Sequence, residues 1–188
     1  MNANLNEFAQ PTRYSWLTAF AGKYMNDWLT ISASALATII NEDVKEGGSA
    51  GNHRKLTPYI SASFKPFYHE EFRIRFFYKD IFRLPSFNDL YYQEVGNTKL
   101  RPENARQYNV GLTYSKNVCP FLPYLSATID AYYNKVTDKI IAYPTKNLAV
   151  WSMRNLGEVE IKGIDATGSL SLQPWERIRI NLSGNYTF

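Results

Sequence analysis

Apolar and polar residues alternate along most of this chain, and the alternation is cleanest near its end. There Ile178, Ile180, Leu182, Gly184, Tyr186 and Phe188 fall on one face, with Arg177, Arg179, Asn181, Ser183, Asn185 and Thr187 on the other. A period of two belongs to a β-strand with one oily and one wet side, not to a helix. The same rule places Tyr108, Val110, Leu112 and Tyr114 opposite Gln107, Asn109, Thr113 and Ser115, and Leu125, Ala127, Ile129, Ala131 and Tyr133 opposite Ser126, Thr128, Asp130 and Asn134. Further strands are expected over 14–24, 28–41, 55–65, 71–82 and 160–172, giving eight in all. Their connections alternate in length. Short turns fall near 26–27, 66–70, 117–123 and 173–176, and long loops over 42–54, 83–104 and 137–159. Every long loop therefore lies at one end of an all-β, antiparallel up-and-down meander, the asymmetry of transmembrane barrels. Aromatics near the predicted strand ends, including Trp16, Trp28, Phe67, Tyr68, Phe121, Trp151 and Trp175, suit the border between hydrocarbon and water.

Composition narrows the reading. The chain is 45% hydrophobic, yet no apolar run approaches the ~20 residues a membrane helix requires. Against 21 basic residues stand 17 acidic ones, scattered along the chain, so the net charge of +4 describes a mixed solvated surface and not a nucleic-acid site. Arg73, Arg75 and Lys79 share one strand face, as do Arg177 and Arg179. They could steer an anionic ligand or pair with acidic groups inside a barrel, but charges also collect there because the lipid face excludes them. Cys119 is alone, which excludes an intrachain disulfide and a cysteine-based metal site. His53 and His69 belong to loops at opposite ends of the strands. The carboxylates Glu70, Glu71, Glu94, Glu103 and Asp138 form no nucleophile-base constellation, and Gly47-Gly48 lacks the lysine and helix of a phosphate loop. The residues point to no catalysis, no metal site and no cofactor.

Two motifs remain. The first runs Arg83-Leu84-Pro85-Ser86-Phe87-Asn88-Asp89-Leu90-Tyr91-Tyr92 and then Gly96-Asn97-Thr98-Lys99-Leu100-Arg101-Pro102-Glu103. Its prolines end sheet pairing and Gly96-Asn97 favours a turn. The second is Asn155-Leu156-Gly157 followed by Ile161-Lys162-Gly163-Ile164-Asp165-Ala166. Together they resemble the R-x-P-[ST]-F-x-[ED]-L-[YF], G-N-x-x-L-[KR]-P-E and N-x-G…K-G-[VIL]-[ED] signatures of TonB-dependent receptors. Thr98 stands where that family often has Pro or Asp, and Asp165 where Glu is commoner.

The resemblance implies a barrel of about 22 strands enclosing a separate N-terminal plug. This chain carries no plug-like region and no energy-coupling TonB box near its start, so it is expected to be an internal barrel fragment, although Leu182–Phe188 looks like a C-terminal assembly signal. The implied role is active import across the outer membrane of a Gram-negative bacterium. The expected ligand is scarce, a siderophore, cobalamin or similar, with energy from the TonB complex through the plug. Ligand contacts are then expected in the long loops, at Tyr91, Tyr92, Arg101, Tyr143, Trp151 and Arg154. Outer-membrane lipid is a further implied partner, and a fragment with unpaired edges is expected to self-associate. Two alternatives predict different structures. A complete eight-stranded barrel would pair 14–24 with 177–188, and a soluble carbohydrate-binding sandwich would bury its oily faces between two sheets.

Overall fold

A β-branched and aromatic-rich strand satisfies its backbone amides only by pairing with a neighbour, and short turns make the next segment the nearest neighbour. In the computed structural model, which describes residues 9–68, 71–92, 95–145 and 151–188, this rule holds throughout. The strands are β1 (Pro11–Met25), β2 (Leu29–Val44), β3 (His53–Phe64), β4 (Glu71–Arg83), β5 (Glu103–Lys116), β6 (Tyr124–Pro144), β7 (Trp151–Trp175) and β8 (Ile178–Thr187), with one short helix, α1 (Phe87–Tyr91), between β4 and β5. They form a single antiparallel sheet in chain order, β1 to β8. All eight expected strands are present. Among the described residues no ladder joins β8 to β1, so the sheet is open and the closed eight-stranded alternative is excluded. A single sheet likewise excludes the sandwich.

Register fixes which side chains share a face. Across β4, β5 and β6, Ile74 pairs with Leu112 and Leu112 with Ile129, and in the next row Phe76, Val110 and Ala131 align. This apolar face is bare. Phe20 is 72% exposed, Val110 52%, Ile129 51% and Leu182 53%, values no packed interior would allow. Its upper border, toward the long loops, is a row of tyrosines. The rings of Tyr78 and Tyr108 lie 5.1 Å apart, and those of Tyr108 and Tyr133 6.1 Å apart. Immediately above, Asp80, Arg106, Lys135 and Glu160 stand in register. The face thus changes from hydrocarbon-like to phenolic to charged within two residues per strand.

The other face is polar, and two glycines there make room for particular contacts. Arg75 on β4, Gly111 on β5 and Asp130 on β6 align in one row. Arg75 Nη2 reaches across the glycine to Asp130 Oδ1 at 2.9 Å and Oδ2 at 2.8 Å. A Cβ on Gly111 would overlap Asp130 Oδ1 and sit 2.8 Å from Arg75 Nη2, so only glycine lets the pair close over the middle strand. Gly163 of the second motif lies opposite Tyr132, whose Oη and Cζ would be 2.6 and 2.8 Å from an added Cβ. The tyrosine ring covers the backbone that glycine leaves open.

Three features depart from the sequence reading. The loop expected over 137–159 is largely strand: β6 and β7 stay in one register as far as Pro144 and Trp151. At roughly 3.3 Å per residue, a 21-residue strand is about 70 Å long, far beyond the 9 to 11 residues needed to cross a bilayer. Its outer half mixes polar and apolar residues on each side, with Ile140 packed into the rim, so the alternation that marks a strand fades although the backbone pairing continues. The loop after β2 is shorter than expected because β2 runs on to Val44. Finally, β3 and β4 pair only from Tyr59–Phe64 to Ile74–Lys79, and above that they diverge. Of the earlier candidates, His69, Glu70 and Glu94 lie outside the described residues.

The glycine row gives a test. Gly111→Val should break the Arg75–Asp130 pair and lower barrel stability by about 1 to 2 kcal/mol, the usual cost of a steric clash with a half-exposed polar contact. It is measured as an earlier unfolding temperature on unboiled gels of the full-length protein. In the Asp130→Ala background, the same substitution should cost clearly less.

Candidate functional site

Helix α1 is too short to persist on its own propensity, so capping and packing hold it. Ser86 is its N-cap. The Ser86 Oγ accepts from the Asp89 amide at 3.2 Å, while Asp89 Oδ2 accepts from the Ser86 amide at 2.8 Å, a reciprocal capping box. The P-S-F-N-D stretch of the first motif is therefore a helix start. Its consequence is to direct Leu90 and Tyr91 inward, where they join Leu100 and Ile140 in a small core against Ala9, Val44, Ala50 and Met153. This is the principal apolar core of an otherwise single-layered molecule.

Polar groups tie that core to five strands. The Tyr91 hydroxyl donates to Glu42 Oε1 on β2 and accepts from the Ala50 amide at 3.2 Å. Burial pushes the Tyr91 phenol above its ordinary pKa, and the bond to the Glu42 carboxylate pushes it further, so the hydroxyl remains a donor. Arg13 on β1 pairs with Glu42 at 2.6 Å, donates to the Pro85 carbonyl at 3.1 Å and lies 4.8 Å over the Phe87 ring. Glu103, which closes the first motif, is buried. It accepts from the Ile140 amide at 2.6 Å and pairs with Arg83 at 2.8 Å.

The two motifs meet through asparagines. Asn97 donates from its amide to the Asp89 carbonyl at 2.8 Å and from Nδ2 to the Met153 carbonyl at 2.9 Å. Asn155 of the second motif accepts from the Arg101 amide at 2.8 Å and donates to the carbonyls of Arg101 and Asp138 at 2.9 and 2.7 Å. Arg101 also grips Asp138 through Nε at 3.0 Å and Nη2 at 2.5 Å. Asp138 has a backbone φ of 55°, a left-handed conformation that aspartate tolerates better than most residues.

The six sequence-predicted site residues thus separate. Tyr91 is buried in the loop core and Arg101 is engaged with Asp138. Tyr92 is exposed beside α1. Tyr143, Trp151 and Arg154 stand on the tall β6–β7 hairpin, not in an irregular loop, and Tyr143 and Trp151 are each 48% exposed. Arg154 packs over the Tyr143 ring at 5.6 Å, and both line a depression with Pro144, Thr145 and Ser152. Sequence reasoning missed Arg13 and Glu42, whose roles depend on contacts with residues far along the chain, which no local pattern reports.

Asn155→Ala should leave the Arg101 amide and two carbonyls without their partner, costing about 2 to 3 kcal/mol locally. The expected outcome is faster proteolytic nicking within 84–102 while the strands stay protected. Tyr91→Phe should loosen 45–52 in the same assay.

The family model described as "TonB dependent receptor-like, beta-barrel" matches residues 12–188. The vitamin B12 transporter BtuB of Vibrio vulnificus is 34% identical over 84 residues, 45% of this chain and 13% of that protein. BtuB of Photobacterium profundum is 31% identical over 94 residues, 48% of this chain and 14% of that protein. The matched segments are therefore a small part of those relatives. Among solved structures, the copper transporter OprC superposes with a TM-score of 0.71 at 13% identity, covering 95% of this chain and 28% of that one. The FrpB iron transporter from Neisseria meningitidis (F3-3 variant) gives 0.63 at 13% identity, covering 94% and 26%. These relatives are transporters, not enzymes, and the structural likeness shows a shared barrel fold. On the match across 12–188, this chain belongs to the TonB-dependent receptor-like β-barrel family, whose members are outer-membrane barrels.

Proposed function

We propose that this chain forms part of the wall and outer rim of an outer-membrane receptor that imports a scarce ligand with energy delivered through TonB. The bare apolar face, bordered by Tyr78, Tyr108 and Tyr133, carries the membrane half of this reading. Exposed in water, that face would aggregate; against lipid it is solvated, with phenols at the interface and charges beyond it. The polar face then lines a wet lumen, and the Arg75–Asp130 pair belongs to it. The plug that would couple this wall to TonB belongs to the rest of the receptor.

Ligand capture falls to the parts of the rim with free surface. Tyr92, Tyr143, Trp151 and Arg154 present exposed aromatic and cationic groups, and the Arg101 side chain stays largely exposed while paired with Asp138, whereas the buried Tyr91 acts as a positioning residue that holds the rim in place. Aromatic and guanidinium groups suit a large, partly apolar, partly anionic cargo such as a metal chelate or a corrinoid. The names of the matched relatives, which include vitamin B12 and iron transporters, support cobalamin and ferric siderophores as the first ligands to test.

Two experiments check this. In full-length protein whose native cysteines, Cys119 included, are replaced by serine, Ile129→Cys should react with a membrane-soluble maleimide but not a charged one, and Thr128→Cys should do the reverse. Equal labelling of both by the charged reagent would overturn the membrane assignment. Outer membranes containing the full-length receptor should bind labelled cobalamin or a ferric siderophore, with Tyr143→Ala plus Arg154→Ala weakening capture roughly tenfold without loss of barrel stability. Binding of neither ligand would overturn the cargo assignment.

A further inference from the structure

The polar face of β1 to β4 carries a sloping groove. By register, Ala21, Ser34, Tyr59 and Lys79 form one row on that face, and Lys23, Ser32, Ser61 and Phe77 form the next. A cavity of about 550 Å³ is lined by Ser34, Thr38, Thr57, Tyr59, Lys79 and Ile81, and a second of about 330 Å³ by Ala21, Lys23, Ser32, Ser34 and Tyr59. Because they share Ser34 and Tyr59, the two adjoin. Lys79 is eight residues from Glu71, where β4 leaves a short turn, and follows Tyr78 of the tyrosine border. Lys23 is two residues from Met25, where β1 enters a short turn. The groove therefore slopes from the outer border of the apolar band toward the short-turn end of the wall.

Its chemistry is one-sided. Lys23 and Lys79 have no ion pair among the described residues. Asp80 is the one carboxylate in either lining, and its side chain belongs by register to the opposite face. Thr38 is 8% exposed, yet its hydroxyl has no hydrogen-bond partner among the described residues, while the buried Thr57 donates to the Leu36 carbonyl at 3.3 Å. A buried hydroxyl without a partner is costly, and one lining the same cavity as a free ammonium marks space suited to an anionic acceptor. The adjoining face of β5 and β6 is different. There Gln107, Asn109, Tyr132 and Asn134 are bulkier and uncharged, and Arg75 beside them is already tied to Asp130.

We propose that this groove is a track for an anionic cargo, a negatively charged metal chelate, on its way down the receptor lumen. The assignment rests on the import role proposed above and narrows its cargo to such a chelate over a neutral corrinoid. Two separated ammonium groups attract an anion far more than an uncharged solute, and the serine and threonine hydroxyls between them stand in for water the anion sheds. Neither lysine belongs to a closed cage, so each holds the anion weakly enough to pass it on, which is the condition for passage and not storage. Ala21, Ser32, Ser34 and Ser61 are small and leave the width that a chelate needs.

The test is uptake by cells carrying the full-length receptor. Three probes are used: an iron-labelled anionic tris-catecholate complex, an uncharged tris-hydroxamate complex and labelled cobalamin. Uptake of the anionic complex should saturate, and Lys23→Gln with Lys79→Gln should lower its maximal rate about tenfold while its binding at the cell surface is unchanged. Lys23→Arg with Lys79→Arg should restore the rate, and Lys162→Gln, which removes the same charge from the opposite face, should leave it alone. An undiminished rate in the glutamine pair overturns the track. Import of the uncharged complex or of cobalamin at a rate equal to or above that of the anionic complex also overturns it, and leaves the import role standing. Import of none of the three sinks that role and the track together. If the glutamine pair admits a large antibiotic or unfolds at a lower temperature, the lysines anchor the plug and the track is overturned.

Discussion

A single sheet with one oily face and no second layer has almost nothing to bury. Among the described residues, four of the buried apolar side chains, Leu90, Tyr91, Leu100 and Ile140, cluster at the rim, while the strands below them expose Phe20, Val110, Ile129 and Leu182. Backbone pairing therefore carries the wall, and register carries the backbone pairing. A slip of one residue between β5 and β6 would send Ile129 to the polar side and Asp130 to the apolar one. The same slip would separate Asp130 from Arg75 across Gly111. The ion pair over that glycine is thus weak as a source of energy but strong as a marker of alignment, because only one register permits it.

The sequence made the wall legible because a membrane-spanning strand obeys one rule along its whole length. Ile74, Leu112 and Ile129 are apolar for the same reason and on the same period, so all eight strands were readable from alternation. The rim follows no such rule. Between Thr137 and Val159 neither face is uniformly apolar, and Lys139 and Glu158 break the alternation without breaking the ladder, in which they pair with Leu156 and Thr137. A strand there looks like a loop. Conversely, α1 was not readable, because five residues give no helical period; only Ser86 and Asp89 three positions apart carried its signal, and they sat inside a motif read as an ordered loop.

Divergence of β3 from β4 was equally invisible, though Pro58 offers a local cause. A proline inside a ladder has no amide to donate, so pairing is weakest at that height. β3 keeps its register with β2 on the other side while its edge toward β4 opens. Lys55 then finds itself beside Asp80 and Arg106, residues that an unbroken ladder would have placed on the opposite face.

Most of the motif residues that identify the family do their work inside the rim, while Gly163 makes room for Tyr132 in the wall. Ser86 and Asp89 cap a helix, Tyr91 and Glu42 close a buried bond, Asn97 holds the Met153 carbonyl, Glu103 takes the Ile140 amide, and Asn155 clamps Arg101 to Asp138. Each polar group in that set already has a protein partner, so little is left for a ligand. A signature built this way specifies how the β4–β5 loop docks on the tall hairpin. The motifs leave other side chains unconstrained, and Tyr143 and Arg154, stacked on each other toward the outer end of the β6–β7 hairpin, have that freedom. Resemblance through these motifs is therefore a resemblance of architecture, because the groups that carry it are engaged in holding the loop to the hairpin.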